Sequence, residues 1–227
     1  MTRFLRQTWT IAAKDLRTEL RNKEALSAAL SFTLVVILLF SFAFDPVSNV
    51  EVRELSGGLL WIAYIFAGIL LLNRSFARES ANDCLDALVA SPLSGGALFL
   101  GKAVSSCLLL LVLEMASLPL FGVFYSVNWT QNFGTLLLVL VLGSWGFTVI
   151  GTLFSAVTAN NRLRELMLPL LVFPMTLPAL IACVQLTTVI LTGDPLGDSV
   201  AWLRLLFGFD VIFTLLGAVL LESVLLA

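Results

Sequence analysis

The run ALSAALSFTLVVILLFSFAF, residues 25–44, decides the class of fold. It carries no charge between Glu24 and Asp45, and its length matches the roughly 20 apolar residues with which a helix crosses a bilayer. The whole chain has the same character: 59% of its 227 residues are hydrophobic, 12% are charged, and the mean hydropathy is +1.01. In soluble domains, about a quarter of all residues are charged. The composition therefore predicts an all-helical protein that crosses the membrane several times.

Uncharged runs of this kind predict six spans and one membrane domain over residues 1–227. The spans are expected at about 25–44, 56–73, 103–125, 130–159, 166–192 and 205–221. The fourth and fifth are longer than one crossing requires, so each is expected to be tilted or broken.

Basic residues divide unevenly between the two sides of this topology. Arg53 and Arg204 fall on one side, and the other eleven of the 13 Lys and Arg residues fall on the opposite side. Cytoplasmic loops carry the excess of Lys and Arg. Both termini are therefore predicted to be cytoplasmic.

The first 24 residues are charged throughout, so no cleavable signal peptide is expected. Apolar residues recur there at steps of three and four, which predicts an amphipathic helix along the cytoplasmic membrane face. The alternative is a basic leader that only orients the first span. The apolar positions are Leu5, Trp9, Ala12, Leu16 and Leu20.

Several classes of chemistry are excluded by residue type. The chain has no histidine, which excludes a His-based metal site, a His-assisted nucleophile and histidine ligation of haem. Cys84, Cys107 and Cys183 form no C-x-x-C and are expected to be ordinary small apolar residues. The run GALFLGK, residues 96–102, mimics a phosphate-binding loop, but Ala103 stands where Ser or Thr must hold magnesium. We therefore expect no catalytic and no metal site, and any nucleotide hydrolysis must come from another chain.

A long polar interruption, FARESANDCLDALVASPLSGGALFLGK, covers residues 76–102 between the second and third spans, and the predicted cytoplasmic loop is 74–102. Asn82 and Asp83 can cap a short helix there, and Pro92 ends it. The apolar face of that helix consists of Leu85, Leu88 and Val89.

Such a helix, held between two spans, can fit a groove on a cytoplasmic protein and move both spans together. The alternative is a helix that lies on the lipid surface. The partner contact is favoured because anionic lipid would repel Glu79, Asp83 and Asp86.

The same segment resembles the coupling-helix loop of ABC-2-type exporter permeases. That loop reads approximately R-E-x-x-x-G-T/S-L-E-x-L-L-x-x-P-x-x-x-x-x-x-x-x-G-K. Asp83 replaces the motif glycine, Cys84 replaces Ser or Thr, and Asp86 replaces Glu. The positions that carry the likeness are Glu79, Leu85, Asp86, Leu88, Pro92 and Lys102.

The whole chain is similar to the haem exporter protein B (CcmB) family, the permease subunit of the bacterial cytochrome c maturation system. Its length, its six spans, Gly58-Leu59-Leu60-Trp61 in the second span and Leu168-Pro169 in the fifth fit that family. The resemblance implies an ABC-2-type, type V-like exporter permease of the bacterial inner membrane, without catalytic residues of its own. ATPase-coupling residues are then Glu79, Asp83, Leu85, Asp86, Leu88, Val89 and Pro92.

The resemblance also implies partners and cargo. The partners are two copies of a cytoplasmic ABC ATPase, a second copy of the chain, a haem-handling membrane protein and a small membrane subunit. Haem is the implied cargo, or else the complex releases a haem-loaded chaperone, and ATP with magnesium binds the ATPase. Alternatives are a permease for a lipid, polysaccharide or drug, and a scaffold that transmits no movement. A multi-pass enzyme is disfavoured by the absence of histidine.

Two carboxyl groups fall inside the predicted spans, where a charged side chain is energetically costly and indicates a functional or paired position. Glu114 lies about 18 Å beyond Lys102 along a helix, near the middle of the bilayer. It is the candidate for a functional polar group. The alternative is a carboxyl that joins helices. Asp210 could pair with Arg204, although a spacing of six is poor for a helical pair. The residues expected to hydrogen-bond Glu114 in the alternative are Ser117, Gln185 and Thr187.

Prolines in the fifth span predict a kink or break, which we interpret as a candidate gate near the outer side, or alternatively as a re-entrant turn that only packs. These are Pro169, Pro174 and Pro178. Small residues offer surfaces for close helix contact, for folding or for dimerisation. They are Ala63, Ala67, Gly143 and Gly146.

Overall fold

The computed structural model describes residues 2–49, 52, 54–75, 94–159, 161, 163–194 and 197–225. Its longer helices, in chain order, are α1 (Thr2–Asn22), α2 (Glu24–Phe44), α3 (Ser56–Ser75), α4 (Gly95–Tyr125), α5 (Phe133–Val157), α6 (Arg164–Thr192) and α7 (Val200–Leu225). A short 3-10 turn, Gly197–Ser199, precedes α7. The helices α2 to α7 are each long and apolar enough to cross a membrane. The predicted all-helical class and the count of six spans are confirmed for the described residues.

Helix α2 shows how the apolar sequences pack. Its buried residues recur every four positions, which places them along one side of the helix. Small residues near its start allow a close approach to α3 and α4. The buried positions are Ala25, Ala29, Thr33, Ile37 and Ser41.

Helices α3 and α5 form the centre of the bundle. In each, 67% of the apolar stretch is buried, compared with 17% in α7. Helix α5 packs against α4, α6 and α7, and α3 packs against α2 and α6. Helix α7 therefore lies at the edge, and about half of its described side chains, at positions 200–221, are exposed.

The third apolar helix begins earlier than expected. It starts at Gly95 instead of 103, because Ser94 caps the helix by accepting a 3.3 Å hydrogen bond from the Ala97 backbone N–H. Residues 96–102 are therefore helical, unlike the loop of a phosphate-binding motif, and Lys102 lies inside α4.

Helix α6 is continuous from Arg164 to Thr192, so neither the predicted break nor the re-entrant turn is present. Inside a bilayer, an interrupted backbone exposes unsatisfied N–H and C=O groups, which favours an uninterrupted helix even where proline removes a hydrogen bond. The three prolines lie in the half of α6 that follows Arg164. That half begins on the predicted cytoplasmic side, whereas the gate was expected near the outer side, so these two predictions are inconsistent with each other. A gating role for Pro169, Pro174 and Pro178 stays a prediction.

Helix α1 packs along the beginning of α4. A side chain at Gly101 would collide with Ile11, so the glycine allows the two helices to touch. Ala12 is buried, whereas Leu5 and Trp9 are 59% and 67% exposed. The predicted helix is present, but its apolar side is divided between α4 and the exterior.

Candidate functional site

Glu114 lies at the centre of a polar cluster inside the bundle. It is fully buried in α4, and its Oε1 accepts a 2.6 Å hydrogen bond from the Ser144 hydroxyl of α5. A short hydrogen bond of this kind links two helices where no water is available to solvate the carboxyl group. Its Oε2 has no hydrogen-bond partner among the described residues.

Helix α3 joins the same cluster through Tyr64. The Tyr64 hydroxyl donates to the backbone carbonyl of Glu114 at 3.4 Å and accepts from Ser117 at 3.2 Å. Ser117 also lies 3.0 Å from that carbonyl. One turn earlier in α3, the Trp61 indole N–H donates to Thr187 of α6 at 2.9 Å. The cluster thus connects four helices, α3 to α6.

Small residues on α3 and α5 allow the helices around this cluster to pack closely. A side chain at Gly143 would collide with Trp61 and Cys183, so only glycine fits there. Ala63 and Ala67 on α3 are likewise fully buried. The predicted small surfaces therefore serve contacts within this chain.

Asp210 of α7 lies on another side of α5. It is 4% exposed, and its Oδ1 is 2.5 Å from the point where a side chain at Gly146 would begin. Neither of its carboxyl oxygens has a hydrogen-bond partner among the described residues. The expected pairing with Arg204 is therefore wrong, since the six-residue spacing places Arg204 on an exposed part of α7.

Only part of the expected Glu114 network is correct. Ser117 reaches the backbone carbonyl instead of the carboxyl group, Thr187 bonds Trp61, and Gln185 forms no described bond with Glu114. Ser144 was missed. A serine in the middle of an otherwise apolar span was the available signal, because such a hydroxyl seeks a partner across helices.

A second polar contact joins α1 to α4. The Lys102 ammonium group is fully buried and lies 3.4 Å from the Asp15 carboxyl oxygen, while Lys14 lies 3.0 Å from the other oxygen of Asp15. At the same end of the bundle, Arg74 of α3 and Glu24 of α2 form a 2.8 Å ion pair. Lys102, expected in a cytoplasmic loop, is thus a buried anchor for α1.

The predicted ATPase-coupling residues lie outside the described residues. This applies to all seven: Glu79, Asp83, Leu85, Asp86, Leu88, Val89 and Pro92. The described chain on either side of them is α3, which ends at Ser75, and α4, which begins at Gly95. These two helices pack against each other, and α4 also holds α1.

The described residues contain no group of three His, Cys, Asp or Glu side chains that could hold a metal ion. Cys107 and Cys183 are buried in the spans, as expected for small apolar residues. The polar cluster contains one described carboxyl group, that of Glu114, which accepts from the Ser144 hydroxyl, whereas Asp210 lies apart from it on another side of α5. The hydrogen bonds of the cluster join membrane helices to one another, which is a structural role.

The chain is similar to known proteins along nearly its whole length. Residues 6–224 match the family model described as "CcmB protein". "Heme exporter protein B" of Pseudomonas aeruginosa is 28% identical over 204 residues, which cover 90% of this chain and 91% of that protein. "Heme exporter protein B" of Paracoccus denitrificans is 30% identical over 168 residues, covering 74% and 76% of the two chains. The protein of the same name from Rhodobacter capsulatus is 29% identical over 171 residues, covering 75% and 78%.

Proposed function

Because this chain belongs to the CcmB family, we propose that it is the membrane-spanning permease subunit of an ABC transporter for haem in cytochrome c biogenesis. The observation that carries the proposal is the family match over nearly the full length, together with the relatives named "Heme exporter protein B". Six apolar helices fit a multi-pass protein of the bacterial inner membrane.

We further propose that ATP hydrolysis by a separate ATPase subunit acts on residues 74–102. What supports this is that the segment includes the end of α3 and the beginning of α4, and that these two helices pack together and share the Tyr64–Ser117–Glu114 hydrogen bonds. A push on the segment then moves two linked spans instead of one. The contact surface consists of Glu79, Asp83, Leu85, Asp86, Leu88, Val89 and Pro92.

The proposed assembly follows the ABC-2-type, type V-like pattern. It contains two ATPase chains, two copies of this permease, a haem-handling membrane protein and a small membrane subunit. Haem passes outward as cargo, or a haem-loaded chaperone is released, while ATP and magnesium bind the ATPase. Both termini are cytoplasmic, and the exposed Leu5 and Trp9 of α1 face the membrane surface.

The deciding experiment uses the apolar face of the proposed coupling helix. The chain is co-expressed with its ATPase subunit and the other maturation proteins, with Leu85→Asp and Leu88→Asp introduced together. Each leucine contributes about 1.5–3 kcal/mol when buried in a partner groove, so we expect at least about a tenfold loss of haem-stained cytochrome c. The measurements are cytochrome c yield, ATP hydrolysis and haem absorbance of the purified complex with and without ATP.

Ala87→Asp together with Ala90→Asp is the matched control, because the pair adds the same charge to the same segment outside the apolar face. Normal cytochrome c in cells that lack this chain would overturn the pathway. Normal activity of the double variant would overturn the coupling surface while leaving the pathway in place.

A further inference from the structure

An apolar groove runs between α5 and α7 on the exterior of the bundle. Its wider part has a volume of about 790 Å³ and is lined by leucine side chains, Phe207, Gly134 and Gly208, with Arg204 at its rim. A narrower part of about 370 Å³ continues past Leu142 and Phe207 to Asp210. The groove therefore extends from a basic side chain near the start of α7 to a buried carboxyl group.

Two glycines in this groove are not explained by packing within the chain. Glycine inside a helix lowers stability by roughly 0.5–1 kcal/mol relative to alanine, so it needs a compensating contact. Among the helical glycines whose surroundings the structure describes, only Gly134 and Gly208 would place a side chain with nothing within 4 Å. In contrast, Gly143 and Gly217 are closely packed against Trp61 and Phe99.

Asp210 supplies an independent indication that something fills the groove. Its side chain lines the inner part, is 4% exposed, and has both oxygens without a hydrogen-bond partner in the described chain. It lies ten residues from Val200, about 15 Å along α7, which is half of the hydrocarbon thickness. A carboxyl group at that depth requires a donor.

We propose that a membrane-spanning helix of another protein docks in the groove between α5 and α7 and presents a hydrogen-bond donor, a basic or hydroxyl side chain, to Asp210. Membrane helices approach most closely where one of them carries small residues, which gives Gly134 and Gly208 their role. The donor satisfies the carboxyl oxygens of Asp210 that have no hydrogen-bond partner among the described residues.

A phospholipid fits these observations less well. Its phosphate can reach Arg204, but its acyl chain carries no donor for Asp210, which lies six residues, or about 9 Å, further along α7. An acyl chain also gains nothing from two glycines, since it bends around larger side chains. The Trp145 indole N–H, which lines the inner part of the groove, already donates to Thr214 at 2.9 Å and is therefore not the missing donor.

The test uses the assembled complex and rests on the proposed function only for the choice of co-expressed subunits. A photo-reactive phenylalanine analogue replaces Leu138, which lines the groove and is 44% exposed, and a control probe replaces Val35 on α2, which is 59% exposed. After illumination, the cross-linked products are identified by mass spectrometry. We expect the Leu138 probe, and not the Val35 probe, to form a product with one of the two other membrane subunits.

A Cβ at Gly208 would meet no described atom within 4 Å, so Gly208→Leu extends into the groove, and Ala28→Leu adds a side chain to the exposed side of α2 that also carries Val35. Gly208→Leu and, separately, Asp210→Asn should each reduce the cross-linked product about tenfold, equivalent to about 1.4 kcal/mol. Ala28→Leu should leave it unchanged, and all three variants should retain the cytoplasmic ATPase.

Products formed only with lipid, or only with a second copy of this chain, would overturn the proposal. So would the absence of a product in a complex that retains every subunit. Retention of the ATPase in these cases leaves the proposed function intact, whereas failure of the unsubstituted chain to bind the ATPase or the membrane subunits would overturn both.

Discussion

Glu114 and Asp210 are two carboxyl groups at a similar depth on different sides of α5, and they differ in what this chain provides for them. Glu114 accepts a short hydrogen bond from Ser144 and lies where α3 to α6 meet. Asp210 lies beside Gly146 and lines a groove that opens to the exterior. The difference indicates that a buried carboxyl group in a membrane helix can have either of two roles. One holds the chain's own helices together, and the other remains available to a partner.

Packing around the two sites should respond very differently to added volume. Gly143→Leu inserts four carbon atoms against Trp61 and Cys183, and overpacking of this kind costs about 3 kcal/mol. A Cβ at Gly134 would meet no described atom within 4 Å, so Gly134→Leu should change stability by less than about 0.5 kcal/mol. Thermal unfolding of the two purified variants in detergent measures the difference. An equal loss of stability in the two variants would mean that α5 is packed as tightly at Gly134 as at Gly143.

The carboxyl groups themselves give the next largest effect. Glu114→Ala leaves the buried Ser144 hydroxyl without its partner and should cost about 2 kcal/mol. Asp210→Ala removes a charge that has no described partner, so the isolated chain should be equally stable or more stable. Unfolding in increasing denaturing detergent compares the variants, with Glu114→Gln as the control that preserves size and hydrogen bonding. A larger loss of stability in Asp210→Ala than in Glu114→Ala would mean that Asp210, and not Glu114, holds the helices of this chain together.

A third buried charge, Lys102, extends the comparison to the end of the bundle. Asp15→Ala removes an acidic partner 3.4 Å from the fully buried ammonium group and should cost about 1 kcal/mol or more. Because Asp15 lies on α1, the loss should appear as faster proteolysis of the first 22 residues. Asp45→Ala is the control, since Asp45 is exposed at the end of α2. Unchanged proteolysis would show that Ile11 and Ala12 suffice to hold α1.

The smallest effect is expected for the exposed ion pair between Arg74 and Glu24. Its atoms are 2.8 Å apart, but the side chains are 40% and 70% exposed, and pairs of this kind contribute between zero and about 1 kcal/mol. Arg74→Gln should therefore lower the unfolding temperature only slightly, and less at high salt than at low salt. If Arg74→Gln lowered stability as much as Glu114→Ala, buried polar contacts in this protein would not be more stabilising than exposed ones.

Particular residues show where sequence reasoning succeeded and where it failed. The bounds of the first and second spans were predicted to within two residues, because charged residues flank both apolar runs. The start of α4 was missed by eight residues, since Lys102 was treated as a marker of the membrane boundary. Lys102 can lie inside the helix because α1 covers it and Asp15 approaches its charge. Ser144 and the continuity of α6 were missed because each depends on neighbouring helices.

The sequence by itself determined the helical class, the six spans and the family, because the free energy of transferring each residue from water to lipid depends mainly on the residue itself. Only the tertiary structure decided which polar groups meet. Pairing depends on how each helix is rotated about its axis and where it crosses its neighbours, and several helices set these angles together. For that reason two acidic residues that look alike in sequence, Glu114 and Asp210, lie in a closed cluster and an open groove.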